Sequence, residues 1–342
     1  MRGRPHSDPA TPSRTSETSA SPSPGRSVPG EYPPDTASEP VRLTCPTVDT
    51  AVGTAEGLTA ALAQARPGSV IALAAGTYSG RFVAKNPGTA EQPIWLCGSP
   101  GAVIDAGGIT GGYGLHLDGA DHWRVLGLRV TNAQKGVVLD GVDHAVLQGL
   151  SVDAIGDEAI HLRAHSSDNV VHGCTVSRTG LRREKFGEGI YVGTAVSNWK
   201  TITGGQPDRS DRNVVWGNEI SATTAEAVDI KEGTTRGVVA HNTFDGSSLT
   251  GADSWVDVKG SEWLILGNRG VHSPLDGFQT HEILPGWGAR NVFAGNAADA
   301  VAEKSEEGLG FALRPDRGTW LKCDNTVTGA PLSNVACRYL RQ

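Results

Sequence analysis

A parallel β-helix, an all-β solenoid, is the fold that the sequence predicts. Three observations predict it. One short strand recurs from residue 114: GLHLD (114–118), GVVLD (136–140), AIHLR (159–163), GIYVG (189–193), AVDIK (227–231), WVDVK (255–259), GFQTH (277–281) and GFALR (310–314). A second apolar stretch follows each copy, as in WRVLGLRV, NVVHGCTV and NVVWGNEI. Gly punctuates the two, and no helical periodicity lies between them. The copies start 22, 23, 30, 38, 28, 22 and 33 residues apart, so the longer steps read as the shortest unit with loops inserted. Such a unit cannot bury its own faces, and stacking gives it a continuous core.

Taken along the chain, residues 1–40 are rich in Pro, Ser and Thr and nearly free of large apolar side chains. They cannot bury a core. Disorder is expected for 1–40 and one β-helix domain for 41–342. The segment shows no apolar core of a signal peptide, yet a polar run ahead of a compact domain suits an exported protein. Residues 55–65, AEGLTAALAQA, place Leu58, Leu62 and Ala65 at helical spacing. An N-terminal helix capping the first turn is expected there. RPGSVIALAAGTYSG, residues 66–80, then starts the strands. This helix–PG–strand–GTY beginning resembles that of right-handed parallel β-helix proteins of the pectate-lyase-like superfamily, across residues 45–335. The resemblance implies the hand of the coil. It leaves activity open, because the superfamily holds lyases, hydrolases, epimerases and binding proteins.

Side chains alternate along each recurring strand. Positions two and four are apolar, as in Val228 and Ile230, and point inward. Positions three and five are expected to face solvent. Position three reads His116, Val138, His161, Tyr191, Asp229, Asp257, Gln279 and Ala312 up the stack. Position five reads Asp118, Asp140, Arg163, Gly193, Lys231, Lys259, His281 and Arg314. Glu158, Glu188 and Glu226 directly precede their strands, and Asp253 lies just before Ser254. The second stretch aligns Leu128, Leu150, Cys174, Asn218, Asn242, Asn268 and Asn296 in one column. Stacked Asn side chains satisfy one another and the turn. Cys174 in that column reads as packing. The other cysteines lie near the two ends. Disulfides Cys45–Cys97 and Cys323–Cys337 are expected, and with them an oxidising, extracellular setting. The alternative is five small buried thiols.

Neighbouring strands stack at about 4.8 Å. Asp229 is then beside Asp257, and Lys231 beside Lys259, with Glu188, Glu226 and Asp253 flanking. Like charges that close repel by roughly 1–4 kcal/mol per pair. Either a cation sits among the acids, or the acid and lysine columns neutralise each other as a salt-bridge ladder. Long insertions gather around this one strand: 177–188, 245–254 and 296–308 before it, 194–211 and 281–290 after it. They make walls, and the charged strand becomes the floor of a trough. Trp199 and Trp287 in the walls suit stacking on sugar rings, whereas Trp123, Trp216 and Trp263 read as packing. Arg182, Arg183 and Lys185 put positive charge on one wall.

An open charged trough suits an acidic polysaccharide. The expected partner is such a polymer, bound by a monomer. A net charge of -7 does not suggest nucleic acid, and no stretch approaches the roughly 20 apolar residues of a membrane helix. In a uronate, the C5 proton lies alpha to a carboxylate. Its removal needs a base and neutralisation of the developing charge. Lys231, its pKa lowered by Lys259, suits the first, and Ca²⁺ among carboxylates suits the second. The string E226-A-V-D-I-K231, with HNTF after it and Lys259 on the next turn, resembles the chondroitinase B and alginate lyase family. That resemblance implies a calcium-ligand role for Glu226 and a base role for Lys231. Its second glutamate falls at Thr224 here, and its arginine acid at Lys259. Pectate lyases with a lysine base are an equal template, and they imply Asp229 and Asp257 as ligands beside Glu226. Glu188 joins that expected metal set. Lys231, Lys259 and Arg163 are the expected catalytic residues. Tyr191, His161, His281, Trp199, Trp287, Arg182 and Arg183 are expected to meet substrate. The expected function is therefore a polysaccharide lyase acting by β-elimination. The alternatives are a glycoside hydrolase, a C5-epimerase, or a non-catalytic carbohydrate-binding β-helix.

Overall fold

A computed structural model describes residues 35–48, 51–299, 301–302, 305, 307–314 and 316–339. The expectation of disorder over 1–40 falls, up to residue 34, outside the described residues. From Pro34 onward the chain is one unit.

Three parallel sheets, of ten, ten and nine strands, wind through that unit. Each coil of the chain adds one strand to each sheet, so strands three apart in sequence pair. The sequence pattern shows only two stretches per repeat. The second resolves into two strands in different sheets, as Trp123–Leu126 and Arg129–Ala133 do. The Gly between them makes the corner. Gly127, Gly149, Gly173, Gly217, Gly267 and Gly295 all have φ between 60° and 73°, a region open to Gly at no steric cost.

The nine-stranded sheet is built from the recurring strand. Its members are β1 (Phe82–Ala84), β2 (Tyr113–Asp118), β3 (Lys135–Asp140), β4 (Ile160–Arg163), β5 (Ile190–Val192), β6 (Val228–Ile230), β7 (Val256–Val258), β8 (Phe278–His281) and β9 (Phe311–Arg314). Positions two and four point inward as expected: Leu115, Leu117, Ile160, Leu162, Ile190, Val192, Val228, Ile230, Val256 and Val258 are all fully buried. Gly starts several of these strands because the backbones come close there. A Cβ on Gly189 would lie 2.6 Å from the Ala227 carbonyl oxygen.

Two ladders hold the corners. Asn218, Asn242, Asn268, Asn296 and Asn325 pass hydrogen bonds from each Nδ2 to the next Oδ1 at 2.9–3.0 Å. Cys174 starts the column, its amide donating to Asn218 Oδ1 at 2.8 Å. A second ladder, Asn169 to Asn213, was not apparent from alignment of the repeats. Helix α1 (Ala55–Gln64) has Thr54 as its N-cap and buries Leu58 and Leu62 against the first strands. Disulfides join Cys45 to Cys97 and Cys323 to Cys337. Cys174 is free and buried. Residues ahead of Cys45 also touch the coil, with the Leu43 amide donating to Gln148 Oε1 at 2.8 Å.

Candidate active site

The register of β4 to β8 places His161, Tyr191, Asp229, Asp257 and Gln279 side by side, one per strand. The expectation that this column faces open solvent is corrected by the structure. Asp229 is 1% exposed, Asp257 4% and Gln279 fully buried. The wall loops close over the floor. Thr224 Oγ1 donates to the Glu184 carbonyl at 2.6 Å, and the Gly251 amide donates to the Thr224 carbonyl at 2.7 Å. Together these join the three insertions on one side.

Under this cover the acids and lysines neutralise each other. Lys231 Nζ lies 2.5 Å from Asp229 Oδ2. Lys259 Nζ lies 2.7 Å from Asp229 Oδ1, 2.7 Å from Asp257 Oδ2 and 3.9 Å from Glu226. His281 Nδ1 is 2.9 Å from Asp257. The expected lowering of the Lys231 pKa is therefore reversed. Burial alone would lower it, but the Asp229 carboxylate outweighs burial and holds Lys231 well above the ordinary lysine range. Burial likewise opposes charge on Lys259, and Asp229 with Asp257 overrides it. Lys259 is the buried countercharge of two aspartates and does not line the cavity described below.

The other acids lack such partners. Burial, then the Glu158, Asp229 and Glu226 charges, lifts Glu188 well above the usual carboxylate range. Burial and the Asp229 charge raise Glu226 to about 7, with Lys259 opposing.

Between the walls, above β4 to β6, lies a cavity of about 440 Å³. Its floor is His161, Arg163, Tyr191 and Lys231, with Lys135, Glu158 and Glu188 at its side. Phe186 from one wall and Ile202 from the other face each other across it. Arg163 is fixed by Asp140, through Nε at 2.6 Å and Nη2 at 3.1 Å, and by the Tyr113 hydroxyl at 2.8 Å. Those carboxylate contacts drive Asp140 down to about 2 against the effect of burial. His161 donates Nε2–H to the Gly193 carbonyl at 2.9 Å. Burial, then Lys135 and Arg163, hold its imidazole neutral. Tyr191 packs against His161 edge to face, and Lys231 Nζ lies 5.1 Å from its ring centroid. Burial and the Asp229 charge keep its phenol protonated, well above the usual tyrosine value.

Calcium ligation was tested against this donor set. Glu188, Glu226 and Asp229 bring carboxylate oxygens within 4.8 Å of one another, and Asp257 stands outside that group. Both oxygens of Asp229 already carry an ammonium group. Asp257 is taken by Lys259 and His281. Calcium needs six to eight oxygens, and here two lysines occupy the place of the cation. The expected four-acid set does not fit a resident calcium ion.

The family model described as "Right handed beta helix region" matches residues 103–269. A crystal structure of an alginate lyase from Paenibacillus sp. strain FPU-7 is 35% identical, with a TM-score of 0.77. The match covers 84% of this chain and 96% of that one. The chain belongs to the pectate-lyase-like superfamily of right-handed parallel β-helix proteins. A rhamnogalacturonan lyase shares the fold at 12% identity and a TM-score of 0.58, covering 80% of this chain and 78% of its own. So does the ORF18 protein of Geobacillus virus E2, at 10% identity and 0.54, over 84% of this chain and 58% of its own. No curated protein matches the chain by sequence.

In this pectate-lyase-like chain, four expected site residues, Lys231, Arg163, Tyr191 and His161, share the cavity, with Glu188 beside them. The rest lie elsewhere. Trp199 is buried in helix α2 (Trp199–Ile202), its Nε1 donating to the Thr194 carbonyl at 2.7 Å, so its ring packs the wall instead of facing a sugar. Trp287 lies under the Arg209 guanidinium, 6.0 Å away. Arg182 grips Asp157 through two bonds of 2.9 and 2.5 Å. Arg183 is exposed over Phe186. Three cavity residues were missed: Lys135, Thr194 and, as a site residue, Glu158. Glu158 heads the same acid column as Glu188 and Glu226, which is the signal that pointed to it. Lys135 gives none, because its partner Glu158 is 23 residues away.

Proposed function

We propose that the protein is a secreted polysaccharide lyase that cleaves a uronic-acid polymer, alginate first among those to test, by β-elimination. One observation carries this reading. The alginate lyase from Paenibacillus is 35% identical and matched over 96% of its length. The cavity supports it. Lys135, Arg163, Lys185 and Lys231 line one small space, a surplus of positive charge suited to a uronate carboxylate.

In the elimination, a base takes the C5 proton. The electron pair forms the C4–C5 double bond as the C4–O bond breaks, and the leaving oxygen gains a proton. Lys231 is the proposed base and Tyr191 the proposed donor, on adjacent strands facing one cavity. Lys231 is charged at rest, so it first yields a proton, and Asp229 Oδ2 at 2.5 Å is in reach to accept it. Arg163 faces the carboxylate whose charge grows. Lys259 acts through Asp229 and Asp257 as a positioning residue. A hydrolase is less suited to this floor, because its two carboxylates work without a cation between them, and Lys259 sits between Asp229 and Asp257.

The test is absorbance near 235 nm, the signature of a C4–C5 unsaturated uronate. Alginate, pectate, glucuronan and chondroitin are compared, with added calcium and with a chelator. A rise on alginate that survives the chelator is expected. A rise abolished by the chelator would restore calcium at Glu188, Glu226 and Asp229. A flat trace on all four polymers rejects the lyase.

A further inference from the structure

Three buried polar atoms lie around the cavity without a hydrogen-bond partner: Glu158 Oε2, Glu188 Oε2 and Thr194 Oγ1. Their residues are 7%, 6% and 3% exposed. They come from separate places in the chain, ahead of β4, ahead of β5 and just after β5. Buried polar groups are normally paired, because an unmet one costs about 1–3 kcal/mol. The rest of each residue is held in place. Glu158 Oε1 accepts from Lys135 Nζ at 2.7 Å. The Thr194 carbonyl accepts from Trp199 Nε1 at 2.7 Å. Gly193, at φ 84°, sets the turn that presents Thr194. What stays unmet is the set of atoms at the cavity.

We propose that this cavity is a subsite for one uronate ring whose free secondary hydroxyl groups complete Glu158, Glu188 and Thr194. The proposal rests on the lyase reading and deepens it: the enzyme requires a polymer with unsubstituted ring hydroxyls. Carboxylate oxygens accept from O–H, and a threonine hydroxyl both donates and accepts. Bonds to a charged acceptor are the stronger kind. Lys135, Arg163 and Lys231 provide a separate cationic region for the ring carboxylate. A cavity of about 440 Å³ lies within the roughly 300–1,000 Å³ of ordinary small-ligand sites. An acetyl group on a ring hydroxyl removes the donor, adds bulk and leaves the three acceptors unmet. Sites built to bond a hydroxyl reject such analogues strongly.

The experiment compares alginate with the same alginate chemically O-acetylated at its C2 and C3 hydroxyls. Wild type, Thr194→Val and Glu158→Gln are assayed at 235 nm for kcat and KM. Wild type should prefer the free polymer by roughly 100-fold or more in kcat/KM. Thr194→Val should raise KM on free alginate roughly tenfold, with kcat little changed, and narrow that preference. Glu158→Gln, which keeps the shape of the side chain, should narrow it as well. Equal cleavage of both polymers by wild type overturns the proposal, as do variants with wild-type KM and preference. No cleavage of any uronate polymer overturns the lyase reading instead. Calorimetry then reads the subsite without turnover, using a saturated alginate trisaccharide, free and O-acetylated. Tighter binding of the free trisaccharide supports the subsite. Equal binding, or none, sinks it.

Discussion

At the scale of single residues, two lysines that look alike in the sequence do different work. Lys231 faces the cavity and pairs with one aspartate, whereas Lys259 is buried between two. Lys231→Ala should therefore keep the fold, because Asp229 retains Lys259, and lower turnover at least about 100-fold. A melting curve and the 235 nm assay check both halves, and unchanged turnover would remove Lys231 as base. The pH dependence follows from the same pair. Asp229 raises the Lys231 pKa, so the charged, inactive form dominates at neutral pH. The neutral form gains up to about tenfold per pH unit, and kcat/KM should climb from about pH 7 to about pH 9. A profile that is flat or falling over that range argues against this base. Lys259→Met should cost about 3–5 kcal/mol, because two stacked carboxylates lose their shared counterion. Adding Asp229→Asn should recover part of that loss. Urea denaturation measures both, and a shift under about 1 kcal/mol for the single variant would show that the pair does not hold the floor together.

At the scale of elements, the corner ladder carries what the short strands cannot. Most strands have only three or four residues, and a Gly corner supplies no side chain to bond across turns. Asn242 fills that gap. Its Oδ1 accepts from the Asn218 amide and from Asn218 Nδ2, both at 2.9 Å. Its Nδ2 donates to the Val215 carbonyl at 3.0 Å and to Asn268 Oδ1 at 2.9 Å. Asn242→Ala leaves a buried amide and a buried carbonyl unmet, at about 1–3 kcal/mol each. We expect a loss of roughly 2–6 kcal/mol in chemical denaturation. Asn325→Ala, at the end of the column, should cost less. Equal losses at the two positions would mean that the column does not act as a ladder.

At the scale of the whole molecule, the two disulfides hold distant residues together. Cys45 and Cys97 are 52 residues apart, and Cys323 and Cys337 are 14 apart. On loop-closure entropy these stabilise by about 4 and about 3 kcal/mol. Cys45→Ala should thus lower the unfolding midpoint more than Cys337→Ala, and reductant should act on wild type in the same direction. Identical midpoints with and without reductant would contradict that. Charge is also distributed at this scale. The chain carries a net -7, yet Lys135, Arg163, Lys185 and Lys231 meet in one cavity. A local field of that sign can draw an anionic polymer against the average charge.

The coil was legible in the chain itself. Inward Val228 and Ile230, the stacking of Asp229 on Asp257 and the Asn218–Asn296 column all follow from two local rules. Side chains alternate along a strand, and repeats align in register. The third sheet was not legible, because its strand runs on from the second through one Gly and the apolar pattern does not break. Neither was the state of the charges. Whether Lys231 is neutral or paired depends on water, and water is excluded only when the insertions fold over the floor. That closure rests on contacts such as Thr224 to Glu184, 40 residues apart. Lys135 meets Glu158, and Trp199 turns into its wall, for the same reason. Periodicity is a property of the chain, so the sequence alone determined the solenoid and its floor. Burial is a property of loops meeting across the coil, so only the tertiary structure decided which floor residues form the cavity and which lock one another in place.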